Sequence, residues 1–124
     1  LNHIRKPLTL PNGKQRIVST KEYKLWQNVA TKEVQLQRPG SFPADVPLML
    51  LLAIVPGDKR KRDLDNLPKA IGDVLVKAHV IGDDSQITLA GQDLRPFDRG
   101  KGGFVLARLS IRPPIEELFP QLVE

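Results

Sequence analysis

The chain has 124 residues, 40% of them hydrophobic, which is the length and apolar content of one ordinary domain with its own core. It contains no cysteine, which excludes a disulfide scaffold and thiolate metal sites and fits a reducing compartment such as the cytoplasm. Lysine and arginine number 19 against 14 aspartates and glutamates, and this net +5 favours a polyanionic partner over an acidic protein surface.

In chain order, the first segment, Ile4 to Ser19, reads as a short hairpin. Leu8, Thr9 and Leu10 lead into Asn12-Gly13, a dipeptide suited to the positive φ of a tight turn, and Ile17-Val18 follow. Pro7 and Pro11 confine that strand to a sheet edge. Ser19 and Glu22 have capping-box spacing, and Tyr23, Trp26, Val29, Ala30 and Val34 then recur at helical intervals. The spacing predicts a helix from about Thr20 to Gln37, stopped by Pro39-Gly40, with its apolar residues in the core.

Leu48 to Val55 (LMLLLAIV) is an unbroken apolar run closed by Pro56-Gly57. It is far short of the roughly 20 residues that span a bilayer, so no membrane role is expected and the run reads as a central strand covered on both faces. A second helix is predicted from the stripe Leu67, Ile71, Val74, Leu75 and Ala78, with Asp65 or Asn66 as its cap and Pro68 in its first turn. Two further strands follow, Gln86 to Leu94 and Phe104 to Arg112, joined by the basic loop RPFDRGKGG. The tail PPIEELFPQLVE adds about one helical turn or an interaction segment. The expected fold is α+β, a mixed sheet of four to five short strands with two main helices packed on it.

Between the second strand and second helix lies DKRKRDLDN, residues 58–66. Asp63 and Asp65 are one residue apart, so on extended backbone both side chains leave the same side. Two carboxylates held that close repel unless a cation lies between them, and Mg²⁺ takes oxygen ligands of this kind. The competing reading is that Asp65 and Asn66 are helix caps and Asp63 is favourably placed by the helix dipole. A calcium loop of the EF-hand type is excluded, because Leu67, Pro68 and Val74 stand where it needs an oxygen ligand, glycine and glutamate.

The basic run Lys59, Arg60, Lys61 and Arg62 is ordinarily a solvated turn, but beside a carboxylate pair it gains a use. A phosphodiester must be drawn towards a negatively charged site, and flanking cations supply the attraction. Lys69 lies at i+4 from Asp65, where it either pairs with Asp65 or Asp73 or stabilises charge on a reacting phosphate. A third carboxylate, Asp84, returns to this end of the helix only if His79 to Asp84 run back along it: the helix is about 18 Å long and the six following residues span at most about 20 Å.

The run R-D-L-D-N-L-x-K, an amphipathic helix, a glycine-containing turn and D-D resemble the RusA family of Holliday junction resolvases, small bacterial and phage endonucleases that cut four-way DNA junctions. The resemblance is strongest from Asp58 to Ile87 and reaches more loosely to the first helix, the apolar strand and the K-G-G turn at Lys101 to Gly103. It implies one nuclease domain over 1–112 with 113–124 as a C-terminal tail. It further implies metal-binding roles for Asp63, Asp65 and Asp84, and a catalytic role for Lys69. Two departures stand out: the Pro/Ser/Asn-rich N-terminal segment is short before Leu8, and Gly72 replaces an aromatic that some relatives carry.

Together these point to hydrolysis assisted by Mg²⁺, or Mn²⁺, held by Asp63, Asp65 and Asp84, with Lys69 offsetting charge on the leaving oxygen. Lys14, Arg16, Lys59 to Arg62 and Lys101 are the expected phosphate contacts, and Asn66 the one proposed base reader. Cutting paired strands with one site per chain calls for a two-fold homodimer. The alternative is a branched-DNA-binding accessory protein that uses the same cations without cutting.

Overall fold

The computed structural model describes residues 7–11, 20–57, 67–100 and 102–123, apart from the side chains of Thr20 and Glu22. Four strands, β1 (Leu8–Pro11), β2 (Leu48–Val55), β3 (Ile87–Leu94) and β4 (Phe104–Ile111), form one sheet in the order β1-β4-β2-β3. The β1/β4 and β4/β2 pairs are antiparallel and β2/β3 is parallel, so the sheet is mixed. The helices are α1 (Thr20–Leu36), α2 (Leu67–Lys77) and the single turn α3 (Ile115–Leu118). The fold is α+β, as its sequence predicts.

β2 is central because its alternate side chains give it a fully apolar inner face. Leu48, Leu50, Leu52 and Ile54 share one buried cluster with Leu8 and Leu10 of β1, Val105, Ala107 and Leu109 of β4, and Ala30, Val34, Ile71, Val74 and Leu75 of the two long helices. Its other face is more open than expected over most of its length: Met49 and Ala53 are half-buried and Leu51 is 41% exposed, with only Val55 at the end buried. The helices contribute to one side of the sheet only, which is why a continuous apolar run does not end up covered twice.

On α1 the expected stripe needs one correction. Gln27, Ala30 and Val34 are buried, whereas Val29 is 51% exposed. Val29 lies about 100° round the helix from Ala30, outside the core-facing sector. Tyr23 and Trp26 are half-buried, their rings stack with centroids 6.1 Å apart, and the Trp26 indole Nε1 donates to the Pro11 carbonyl at 3.1 Å, fastening α1 to the end of β1.

β1 lies at a sheet edge, as Pro7 and Pro11 require, and pairs with β4. The hairpin partner expected at Ile17-Val18 and the capping box at Ser19 and Glu22 fall outside the described residues. On the free side of β1, the Gln37 side chain takes the place of a neighbouring strand: its Oε1 accepts from Thr9 N at 2.9 Å and its Nε2 donates to Thr9 O at 2.8 Å.

The turn after α2 matters most for the site. His79 has φ 63°, the left-handed conformation that ends a helix. Its N–H donates to Val76 O at 3.0 Å and that of Val80 to Leu75 O at 2.9 Å, the paired bonds of a Schellman cap. Val80 and Ile81 are then buried, so the chain folds back towards the sheet instead of running on. Gly82, the glycine of the expected turn, does not perform the reversal. The left-handed position falls on histidine, so His79→Gly should stabilise the protein by up to about 1 kcal/mol, read as a higher denaturant midpoint at unchanged slope.

Candidate functional site

The returning segment brings Asp84 to α2. A 3-10 turn, Asp84–Gln86, precedes β3, and a Cβ built on Gly72 would stand 3.5 Å from the Asp84 Cβ and 3.6 Å from Ile87 Cδ1. Position 72, where some relatives have an aromatic, is therefore buried against protein here. A side chain larger than alanine would start in contact with both neighbours. Gly72 is five residues into α2, so Asp84 sits about 7.5 Å along the helix from its start at Leu67. The chain thus runs back along α2 as far as Gly72, while Asp63 and Asp65 lie outside the described residues.

Asp83 and Asp84 play different parts. Asp83 caps the turn, its Oδ1 accepting from Ser85 N at 3.0 Å, and that backbone bond, followed by a hydrogen bond from Asp84, holds its carboxyl below the usual carboxylate range. Asp84 is exposed and its carboxyl is held above that range, first by the hydrogen bond to Asp83, then by desolvation and by the negative charges of Asp83 and Asp73. The positive charge of Lys69 opposes the shift. A carboxylate crowded by like charges, with one cation within electrostatic reach, fits a hard divalent ion as a further partner.

Lys69 projects from the exposed face of α2. Among the described residues it makes no ion pair with Asp73, one turn further on; the Tyr23 hydroxyl donates to the Asp73 Oδ2 at 3.1 Å. Burial, then that hydrogen bond and the Asp73 charge, push the Tyr23 hydroxyl above the ordinary phenol range, so it remains a donor.

Of the expected site residues, Asp84 and Lys69 are described and lie on one flank of α2. Asp63, Asp65, Asn66 and the cations Lys59, Arg60, Lys61 and Arg62 fall within residues 58–66, outside the described residues, as do Lys14, Arg16 and Lys101. Among the described residues, no three aspartate, glutamate or histidine side chains are gathered to hold a metal. The segment carrying Asp63 and Asp65 joins α2 directly at Leu67.

Sequence reasoning missed Tyr23, Asp73 and Gln86. Gln86 is 93% buried and uses its whole amide: Oε1 accepts from Gly82 N at 2.9 Å and Asp83 N at 3.2 Å, and Nε2 donates to Pro43 O at 3.0 Å and Val46 O at 3.1 Å. It ties the Asp83-Asp84 turn to the loop before β2. The D-D-S-Q spacing, an acidic cap with glutamine three residues on, was the available signal, since it is a capping-box pattern.

The family model Endodeoxyribonuclease RusA matches residues 5–95, which takes in the charged stretch, α2, the turn with Asp84 and all of β3. This chain belongs to the RusA family. It is 31% identical over 88 residues, 71% of its own length, to the crossover junction endodeoxyribonuclease RusA of Aquifex aeolicus (strain VF5). The matched stretch covers 66% of that relative, just under two thirds of its length. In this RusA-family chain β4 and the tail lie beyond the part that the family model matches.

Gln86→Leu would leave two loop carbonyls and two N–H groups without their partner. It should destabilise the protein by roughly 2–4 kcal/mol in urea unfolding, whereas substitution of the exposed neighbour Ser85 by alanine should cost less than about 1 kcal/mol.

Proposed function

We propose that the protein is a divalent-metal-dependent endonuclease that resolves four-way DNA junctions by hydrolysing phosphodiesters in paired strands. The observation that carries this reading is the approach of Asp84 to α2 beside Gly72, one turn from Lys69 on the helix that the D-L-D-N segment leads into. Membership of the RusA family and the likeness to the Aquifex crossover junction endodeoxyribonuclease support it.

In this reading Asp63, Asp65 and Asp84 hold Mg²⁺, with Mn²⁺ as the alternative ion; when bound, the metal lowers the pKa of a water and neutralises charge on the phosphate. Asp84 suits the role because Asp83, not Asp84, is committed to capping the turn. Lys69, exposed and unpaired among the described residues, offers its ammonium to the departing oxygen, where negative charge builds up as the bond breaks. The cations Lys59, Arg60, Lys61 and Arg62 counter the repulsion between a DNA backbone and the carboxylates that follow them, and Lys14, Arg16 and Lys101 extend the phosphate contacts. Asn66 reads a base edge beside the cut.

Two strands are cut, and each chain has one such site, so the working unit is a two-fold homodimer. Its place of action is the cytoplasm of a bacterial or phage-infected cell, where branched DNA arises in recombination and repair. No helix among the described residues is long and apolar enough to cross a membrane.

A synthetic four-way junction, the corresponding linear duplex and free nucleotides, each incubated with and without Mg²⁺, test the proposal. Paired nicks in the junction alone, lost with EDTA, are expected. Asp65→Asn or Asp84→Asn should reduce cleavage by about 10³-fold or more, and Lys69→Met by about 10²-fold, with junction affinity retained. Tight binding with no cleavage under any metal would instead identify a non-catalytic junction-binding protein.

A further inference from the structure

Lys69 and Asp73 occupy i and i+4 of α2, the spacing at which oppositely charged side chains meet on a helix surface. Left to themselves they would pair, and a lysine closed onto a carboxylate is a poor partner for a phosphate. The pair is not made. Asp73 is drawn instead towards α1, where the Tyr23 hydroxyl holds its Oδ2 at 3.1 Å.

Tyr23 is itself fixed from two sides. Its ring stacks on Trp26, and the Trp26 indole is hydrogen-bonded to the carbonyl that ends β1. A chain of contacts therefore runs from Pro11 through Trp26 and Tyr23 to Asp73. The donor in this chain stays protonated across the working pH range, because burial and Asp73 both disfavour loss of its proton.

We infer that Tyr23 is a positioning residue for the nuclease reaction: by holding Asp73 on the α1 side of α2, it keeps the Lys69 ammonium from pairing with Asp73 and leaves it available to the scissile phosphate. This rests on the role proposed above for Lys69. Neither Tyr23 nor Asp73 touches substrate in this account; Tyr23 acts by occupying Asp73, and Asp73 matters for the partner it is prevented from taking.

The test is a double-mutant cycle with single-turnover cleavage of a four-way junction at saturating protein. In the wild-type background Tyr23→Phe frees Asp73 and should slow cleavage about tenfold, while junction affinity changes less than about twofold. In an Asp73→Asn background, where no carboxylate is left to capture Lys69, the same Tyr23→Phe substitution should change the rate less than about twofold. A merely structural tyrosine would slow both backgrounds alike. The Lys69 Nζ resonance, followed by ¹⁵N NMR without DNA or metal, provides a second readout. Tyr23→Phe should move it to that of an ion-paired ammonium, and the double variant should return it. Equal losses in both backgrounds, or an unmoved Lys69 resonance in Tyr23→Phe, would overturn the inference. If the wild type does not cut, or Lys69→Met cuts at full rate, the nuclease reading is what fails, and the resonance still decides whether Tyr23 keeps Asp73 from Lys69.

Discussion

The fold-back of the chain after α2 is the constraint on which the site depends. Asp84 is 15 positions beyond Lys69 in sequence, and α2 carries the chain away from the charged segment for most of that distance. A left-handed residue at His79, burial of Val80 and Ile81, and the fully used amide of Gln86 reverse it. Because Gln86 is bonded to the loop before β2 as well as to its own turn, Asp84 is located relative to the sheet and not only relative to its neighbours. At Gly72 the approach is close enough that an added Cβ would be in ordinary van der Waals contact with the Asp84 side chain, 3.5 Å away.

In the proposed nuclease, charge of both signs around α2 meets one requirement. Carboxylates that attract a metal repel the DNA backbone, and cations that attract DNA would be silenced if they paired with those carboxylates. The chain keeps them apart by giving acidic groups other obligations. Asp83 caps a turn and Asp73 accepts from a tyrosine. Among the described residues Lys69 makes no ion pair, and it lies within the electrostatic reach of Asp84, whose carboxyl is hydrogen-bonded to that of Asp83.

Much of this was legible in the residues. The apolar period of α2, the unbroken run of β2 and the alternation of β4 each reflect burial of one face, which sequence records directly. The span of β2 was read to the residue, and α1 to within one. Legibility failed where the outcome depended on partners distant in sequence. Val29 belongs to an apolar stripe by spacing alone, and only the position of β1 and α2 decides that it stays outside. β2 looked covered twice because a run of aliphatic residues says nothing of how many layers lie over it. Tyr23 and Asp73 are 50 positions apart, so no local pattern could pair them. The first turn residue of α2 and the D-D-S-Q capping pattern, by contrast, are local chemistry.

Gln37 shows how an edge can be closed without a strand. An amide side chain presents an N–H and a C=O about as far apart as those of a peptide unit, and here both meet Thr9 of the edge strand β1, while the second Nε2 hydrogen goes to Glu33 O of the helix at 2.9 Å. Anything seeking to lengthen the sheet at that margin would have to displace this amide first. Self-assembly by strand addition is thereby obstructed on the β1 side, which leaves the opposite margin, β3, or the half-open face of the sheet as the routes by which a second copy could be joined.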